Sequence, residues 1–281
     1  AFALLLASCE DEIDFSGRVP DQMVVLNCLA QSDSSLTARV TLSRFFLDNN
    51  PYQPITDAQL MLGVNGLEYR AVGDGLGNYS FAYTPQCGDT LRLTLRCPQS
   101  DSLICGQTIV PQRPVVSEVV GTIDSNYRPL EFLDTCITVF RFAFLIQPPE
   151  GEAYYRLRIF CDVQGDTIDM PNQRATCFLP EDFISQGSTW FFTHESFNAL
   201  ADTIQLLVAD DSLERSNFRL EIESLSPEFF RYALAYNAQQ GVGMGSEPAN
   251  IPTNLTGGAL GLFGSSAKTI RPVPLANKRR R

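Results

Sequence analysis

Hydrophobic and polar positions alternate with a period of two through most of this chain, and a helical period marks one stretch near residue 230. The first strands read as Val24–Cys28, Ala38–Ser43, Ala58–Val64, Glu68–Ala71, Tyr79–Tyr83, Leu91–Arg96 and Gln107–Val110. Each is alternating or β-branched and is bounded by Gly, Asn, Asp or Pro, the spacing expected of an immunoglobulin-like β-sandwich. Pro111-Gln112-Arg113-Pro114 then denies ladder hydrogen bonds and marks a domain boundary. A second β-rich body follows, with strands predicted over Val115–Thr122, Thr138–Ile146, Tyr154–Val163, Gly187–Thr193, Thr203–Val208 and Asn217–Ser224. Within it Tyr154, Arg156 and Arg158 fall on one face and Tyr155, Leu157 and Ile159 on the other.

The helix is predicted over about 226–240. Ser226 suits its cap, Pro227 and Glu228 its first turn, and Gly241 its end. Phe229, Tyr232, Ala233 and Tyr236 recur at i, i+3, i+4 and i+7 as an apolar face that covers the sheet. After it, Gly241–Gly245 reads as a linker and Gly257–Ala267 as a last strand whose glycines permit close backbone approach. The long stretches Asp124–Asp134 and Asp162–Pro180 read as loops available for binding. The fold class is therefore all-β, in two β-sandwich bodies: residues 23–112, and residues 113–275 with the helix. A tether over 9–22 precedes them and a basic tail over 276–281 follows.

The opening residues do not fit this alternation. Ala1–Leu6 is an apolar run too short to span a bilayer, and it passes through Ala7-Ser8 into Cys9 and the acids Glu10-Asp11-Glu12. Leu6-Ala7-Ser8-Cys9 has the order that lipoprotein processing reads, so residues 1–8 are expected to be a signal-peptide remnant and Cys9 the lipid attachment site. Otherwise the run is a secretory core cleaved elsewhere or a strand containing a thiol. Two or three acyl chains would hold the protein on a membrane, since each buried methylene contributes about 0.8 kcal/mol.

Composition supports an exported folded body: 281 residues, 44% hydrophobic and 19% charged, enough for one large or two ordinary cores. A net charge of -11 argues against a nucleic-acid partner, which needs a concentrated basic face. The bases Lys268, Arg271, Lys278, Arg279, Arg280 and Arg281 gather at the C-terminal end, where no acid follows Glu247. Eight cysteines suit an oxidising compartment. Cys97 and Cys105 flank one turn, and Cys161 and Cys177 another; from spacing, each pair is a possible disulfide or a pair of buried thiols.

Catalytic constellations are sparse. His194 is the single histidine, no serine occupies a Gly-x-Ser-x-Gly elbow, and the pairs Glu181-Asp182 and Asp210-Asp211 are adjacent residues that point apart on a strand. Asp74–Asn78 reads as a hairpin turn, with too few spaced oxygens for a calcium loop. No cofactor or metal is expected beyond the lipid on Cys9. Trp190-Phe191-Phe192 must send side chains to both faces of a strand, so the run is either core on both sides or an outward aromatic contact for a partner.

Several of these features, taken in order, resemble the Bacteroidota outer-membrane lipoprotein family known as domain of unknown function 4249. They are Cys9 followed by acids, Val24-Val25, Val40-Thr41-Leu42-Ser43-Arg44, Pro54–Ala58 leading into a strand, Gly77-Asn78-Tyr79, and the closing Asn254–Gly264 after a tyrosine-bearing helix. Cys28 and Leu29 depart from the family's glycine followed by a bulky residue. The resemblance implies a surface lipoprotein whose Glu10, Asp11 and Glu12 act as a surface-export signal. It also implies a non-catalytic accessory or binding role beside a TonB-dependent β-barrel transporter; a free-standing adhesin or glycan-binding module is the alternative.

Overall fold

The computed structural model describes residues 21–45, 48–127, 137–147, 151–163, 166–170, 176–178, 184–186, 189–193, 195, 204–209, 217–240 and 251–276. Cys9, Glu10, Asp11, Glu12, Glu181, Asp182, His194, Asp210, Asp211 and the 241–250 linker lie outside these residues. The strands of the N-terminal part are β1 (Val24–Gln31), β2 (Leu36–Leu42), β3 (Gln59–Val64), β4 (Leu67–Arg70), β5 (Val72–Gly73), β6 (Asn78–Phe81), β7 (Thr90–Arg96) and β8 (Ile104–Ile109). Those that follow are β9 (Val115–Tyr127), β10 (Ile137–Gln147), β11 (Tyr154–Val163), β12 (Asp166–Met170), β13 (Thr176–Phe178), β14 (Ile184–Gln186), β15 (Thr189–Thr193), β16 (Ile204–Ala209) and β17 (Asn217–Leu225). The helix α1 (Pro227–Gln240) and strands β18 (Leu260–Val273) and β19 (Leu275–Ala276) complete the order.

The fold is all-β in sandwich layers. One ten-stranded sheet runs β14-β15-β11-β17-β18-β1-β2-β6-β5, with β12 on β11. A sheet β4-β3-β7-β8 packs on its N-terminal half over a core of Leu26, Val40, Leu62, Leu93 and Phe263. A sheet β13-β16-β10-β9-β19 packs on the other half, where Phe140 and Phe142 meet Phe218 with ring centroids 4.8 and 4.9 Å apart. Among the described residues no helix is long and apolar enough to cross a membrane.

A boundary at Pro111–Pro114 assigns everything after it to the second body, and β18 does not obey it. Its first half pairs in parallel with β1, from Val25↔Leu260 to Gln31↔Ser266, while its second half pairs antiparallel with β17. Phe263 is wholly buried in the first core and Val273 is buried in the second. One strand therefore belongs to both bodies. Its middle, Leu262–Ala267, is buried on both faces, which explains a run of small and apolar residues in place of strict alternation.

Asn254 explains why the closing segment is distinctive. Its side chain mimics a paired strand residue: Nδ2 donates to the Phe263 carbonyl at 2.7 Å, and Oδ1 accepts from the Phe263 amide at 3.0 Å. Thr256 bridges to Cys105, so the segment sews β8 to β18.

Other expectations change with register. Thr94 lies opposite Cys105, and Cys97 sits beyond the end of β7; both cysteines are free thiols, not a disulfide. Cys161 is buried on β11 in the large sheet, and Cys177 belongs to β13 in the sheet that packs against it. The supposed loops contain strands, since β9 extends to Tyr127 and β12 and β13 fall within 162–180. Ala276, assigned to the tail, pairs with β9. Asp74 does close a hairpin turn: its carboxylate accepts from the amides of Leu76 and Asn78 and from the Asn78 side chain.

Candidate functional site

The helix α1 lies on the outer face of the large sheet, opposite the aromatic core. Its start is held by polar contacts. The Ser226 amide donates to the Ser265 carbonyl at 2.9 Å and the Ser226 hydroxyl accepts from the Ser265 amide at 3.1 Å, so this residue ties the helix to β18 more than it caps the first turn. Glu228 accepts a hydrogen bond from Thr108 of β8, whose hydroxyl is 2.8 Å from Ser265 Oγ. Two strands, β8 and β18, thus fix the start of the helix.

Its buried side consists of Phe229, Phe230 and Ala233, packed with Phe191, Leu225 and Leu262. Relative to the i, i+3, i+4, i+7 expectation the face is rotated: Phe230 turns inward against Tyr154 and Phe191, and Tyr236 is left 46% exposed. The sheet beneath is close because Gly264 has no side chain; a Cβ there would stand 2.9 Å from Phe229 Cβ. Trp190, Phe191 and Phe192, the possible partner contact, are all buried. Trp190 and Phe192 point into the second core and Phe191 lies under the helix, so α1 covers the face on which a partner would have docked.

Beside the helix the outer face carries a charge ladder. Arg-x-Arg on β11 lies opposite Glu-x-Glu on β17, with Arg156↔Glu223 and Arg158↔Glu221 in register. Arg156 Nε donates to Glu223 Oε2 at 2.7 Å, Arg158 Nε donates to Glu221 Oε1 at 2.9 Å, and Lys268 Nζ stands 3.4 Å from Glu221 Oε2. Both carboxylates are buried, so these pairs exclude water from one side while the guanidinium edges stay half-exposed.

Between ladder and helix lies a cavity of about 240 Å³ walled by Arg156, Thr189, Phe191, Phe229, Tyr232 and Tyr236. The Arg156 guanidinium carbon is 5.6 Å from the Phe229 ring centroid, and the Tyr232 and Tyr236 rings are within 7° of parallel at 6.3 Å. Burial pushes the Tyr232 phenol above its usual range, with smaller contributions from Tyr236 and Tyr52. Tyr52, in the N-terminal body, has its ring under the Arg44 guanidinium at 4.5 Å. The groove presents aromatic faces and a guanidinium held in place by a carboxylate.

Two further hollows lie among the described residues. One of about 240 Å³ is walled by Glu152, Tyr154, Thr193 and Glu195, where Tyr154 donates to Glu152 at 2.7 Å; that bond, then burial, raises the phenol's pKa. Another, of about 340 Å³, is a polar hollow among Asp57, Arg96 and the Ser100–Leu103 turn. Among the described residues no group of three His, Cys, Asp or Glu side chains is placed to hold a metal ion. The groove was missed in the sequence because Tyr232 and Tyr236 read as core. The signal was present in their hydroxyls and in Arg-x-Arg facing Glu-x-Glu.

No curated protein matches the chain. A family model does: the domain of unknown function DUF4249 matches residues 10–271, nearly the whole sequence, and the chain belongs to that family.

Proposed function

We propose that this chain is a non-catalytic lipoprotein of the outer-membrane surface, anchored through Cys9, that serves as an accessory or binding subunit of a TonB-dependent transporter complex. The observation that supports a binding role is the groove between α1 and β11, where aromatic faces and an arginine held by a buried carboxylate meet an open surface. Such a site recognises and positions a ligand; it supplies neither a nucleophile with its base nor a metal-activated water. The anchor rests on Leu6-Ala7-Ser8-Cys9, and the outward placement on Glu10-Asp11-Glu12.

Cys9→Ala is the direct test of the anchor: after membranes are washed with alkaline carbonate, which strips proteins held only by a partner, the variant is expected in the soluble fraction and the wild type in outer membranes. For the partner, affinity capture after cross-linking intact cells is expected to recover a β-barrel membrane protein. Sedimentation of the Cys9→Ala variant with the washed membranes would refute the anchor, and capture of the chain alone would refute the transporter role.

A further inference from the structure

Seven residues line the α1 groove, and four of them, Arg156, Thr189, Tyr232 and Tyr236, carry polar ends with hydrogen-bonding capacity left over among the described residues. Arg156 spends Nε and Nη2 on Glu223, leaving Nη1 directed to no hydrogen-bond acceptor among the described residues. The hydroxyls of Thr189, Tyr232 and Tyr236 likewise have no hydrogen-bond partner among the described residues. Four polar groups and the faces of Phe191, Phe229, Tyr232 and Tyr236 thus converge on one cavity. A ligand that satisfies both sets has apolar C–H faces and a rim of hydroxyls.

The charge decides further. Glu223 is 2% exposed and neutralises Arg156, so the groove offers a directed donor with no net positive charge to attract an anion. At about 240 Å³ the cavity is smaller than the roughly 300–1,000 Å³ that encloses a drug-sized ligand. It holds one ring at a time, with Tyr236 exposed at the edge where a chain would continue.

We infer that this groove binds one ring of a neutral saccharide, stacked on the tyrosine and phenylalanine faces, with its hydroxyls bonded to Arg156, Thr189 and the two phenols. The inference rests on the binding reading above and names the ligand class of that same site. It requires no contribution from a barrel partner.

The test is a printed array of neutral and anionic oligosaccharides probed with the purified chain, followed by calorimetry on the neutral oligosaccharide giving the strongest signal. Signal on neutral structures is expected, with binding weakened about tenfold or more by Tyr236→Ala. Tyr232→Phe, which removes only a hydroxyl, is expected to weaken binding less while leaving the thermal midpoint unchanged. Absence of signal on every neutral structure, signal confined to anionic ones, or unchanged binding by Tyr236→Ala would each overturn the inference. Capturing the barrel with the same wild-type protein separates the two readings. Barrel retained without saccharide binding sinks this inference alone, and saccharide bound without a barrel sinks the transporter role alone.

Discussion

Gly261→Ala is expected to be among the most damaging single-methyl additions to this chain. Gly261 has φ +106°, a conformation that side chains of L-residues rarely adopt, and it pairs with Leu26 where β18 meets β1. A Cβ there would overlap the Leu26 carbonyl oxygen, lie 2.9 Å from its carbon and 3.0 Å from Asn27 Oδ1. Leu26 is wholly buried, so its backbone has nowhere to move. Backbone strain contributes about 1–3 kcal/mol, and overpacking a tight core about 1–3 kcal/mol more. The sum, roughly 2–6 kcal/mol, is a large share of the 5–15 kcal/mol that holds an ordinary domain together. Gly75→Ala is the matched control: φ is +77°, yet nothing lies within 4 Å of its Cβ, so only the conformational part remains. Urea unfolding followed by far-ultraviolet circular dichroism measures both. A Gly261→Ala midpoint equal to that of Gly75→Ala would refute the close approach of β18 to β1.

Glu223→Gln leaves the Arg156 guanidinium without its charge partner beneath the helix, and a loss of about 2–3 kcal/mol in urea unfolding is expected; an unchanged midpoint would contradict the buried pair. Asn254→Ala strips both backbone groups of Phe263 of their partners and is expected to destabilise by about 2–3 kcal/mol, read as a fall in thermal midpoint. At high pH the protein loses stability through its phenols. Burial pushes Tyr155 up to about 12, and burial followed by the Asp89 hydrogen bond pushes Tyr83 up as well. The folded chain therefore keeps protons that the unfolded chain releases near pH 10, so their contribution is whole below that pH and falls as pH rises through 12. Denaturant midpoints that stay level from pH 9 to 12 would contradict this.

The strand order was legible because burial on one face writes a period of two into the sequence; Val24–Gln31 and Tyr154–Val163 are clear examples. The helix was legible from Pro227, Glu228 and its apolar spacing. What the sequence concealed was pairing between distant segments. Nothing local in Leu260–Val273 announces that one strand joins two cores, since small residues buried on both faces look like a weak strand. Of the two readings left open for Cys97 and Cys105, the structure takes the free thiols for the same reason: they are near in sequence, but the hairpin register sets Thr94 opposite Cys105. Trp190–Phe192 was readable as two-faced, and only the helix, docked through Phe230, decided that its outer face is core. The groove depends on which helical face turns inward, and Phe229-Phe230 offers two apolar choices one position apart.

The proposed accessory role is tested most directly by extracting the native protein from outer membranes in mild detergent and determining the composition and mass of the size-separated species. A β-barrel transporter retained at fixed stoichiometry is the predicted result. Recovery of the lipoprotein by itself, at the mass of one chain plus its acyl groups, would contradict it.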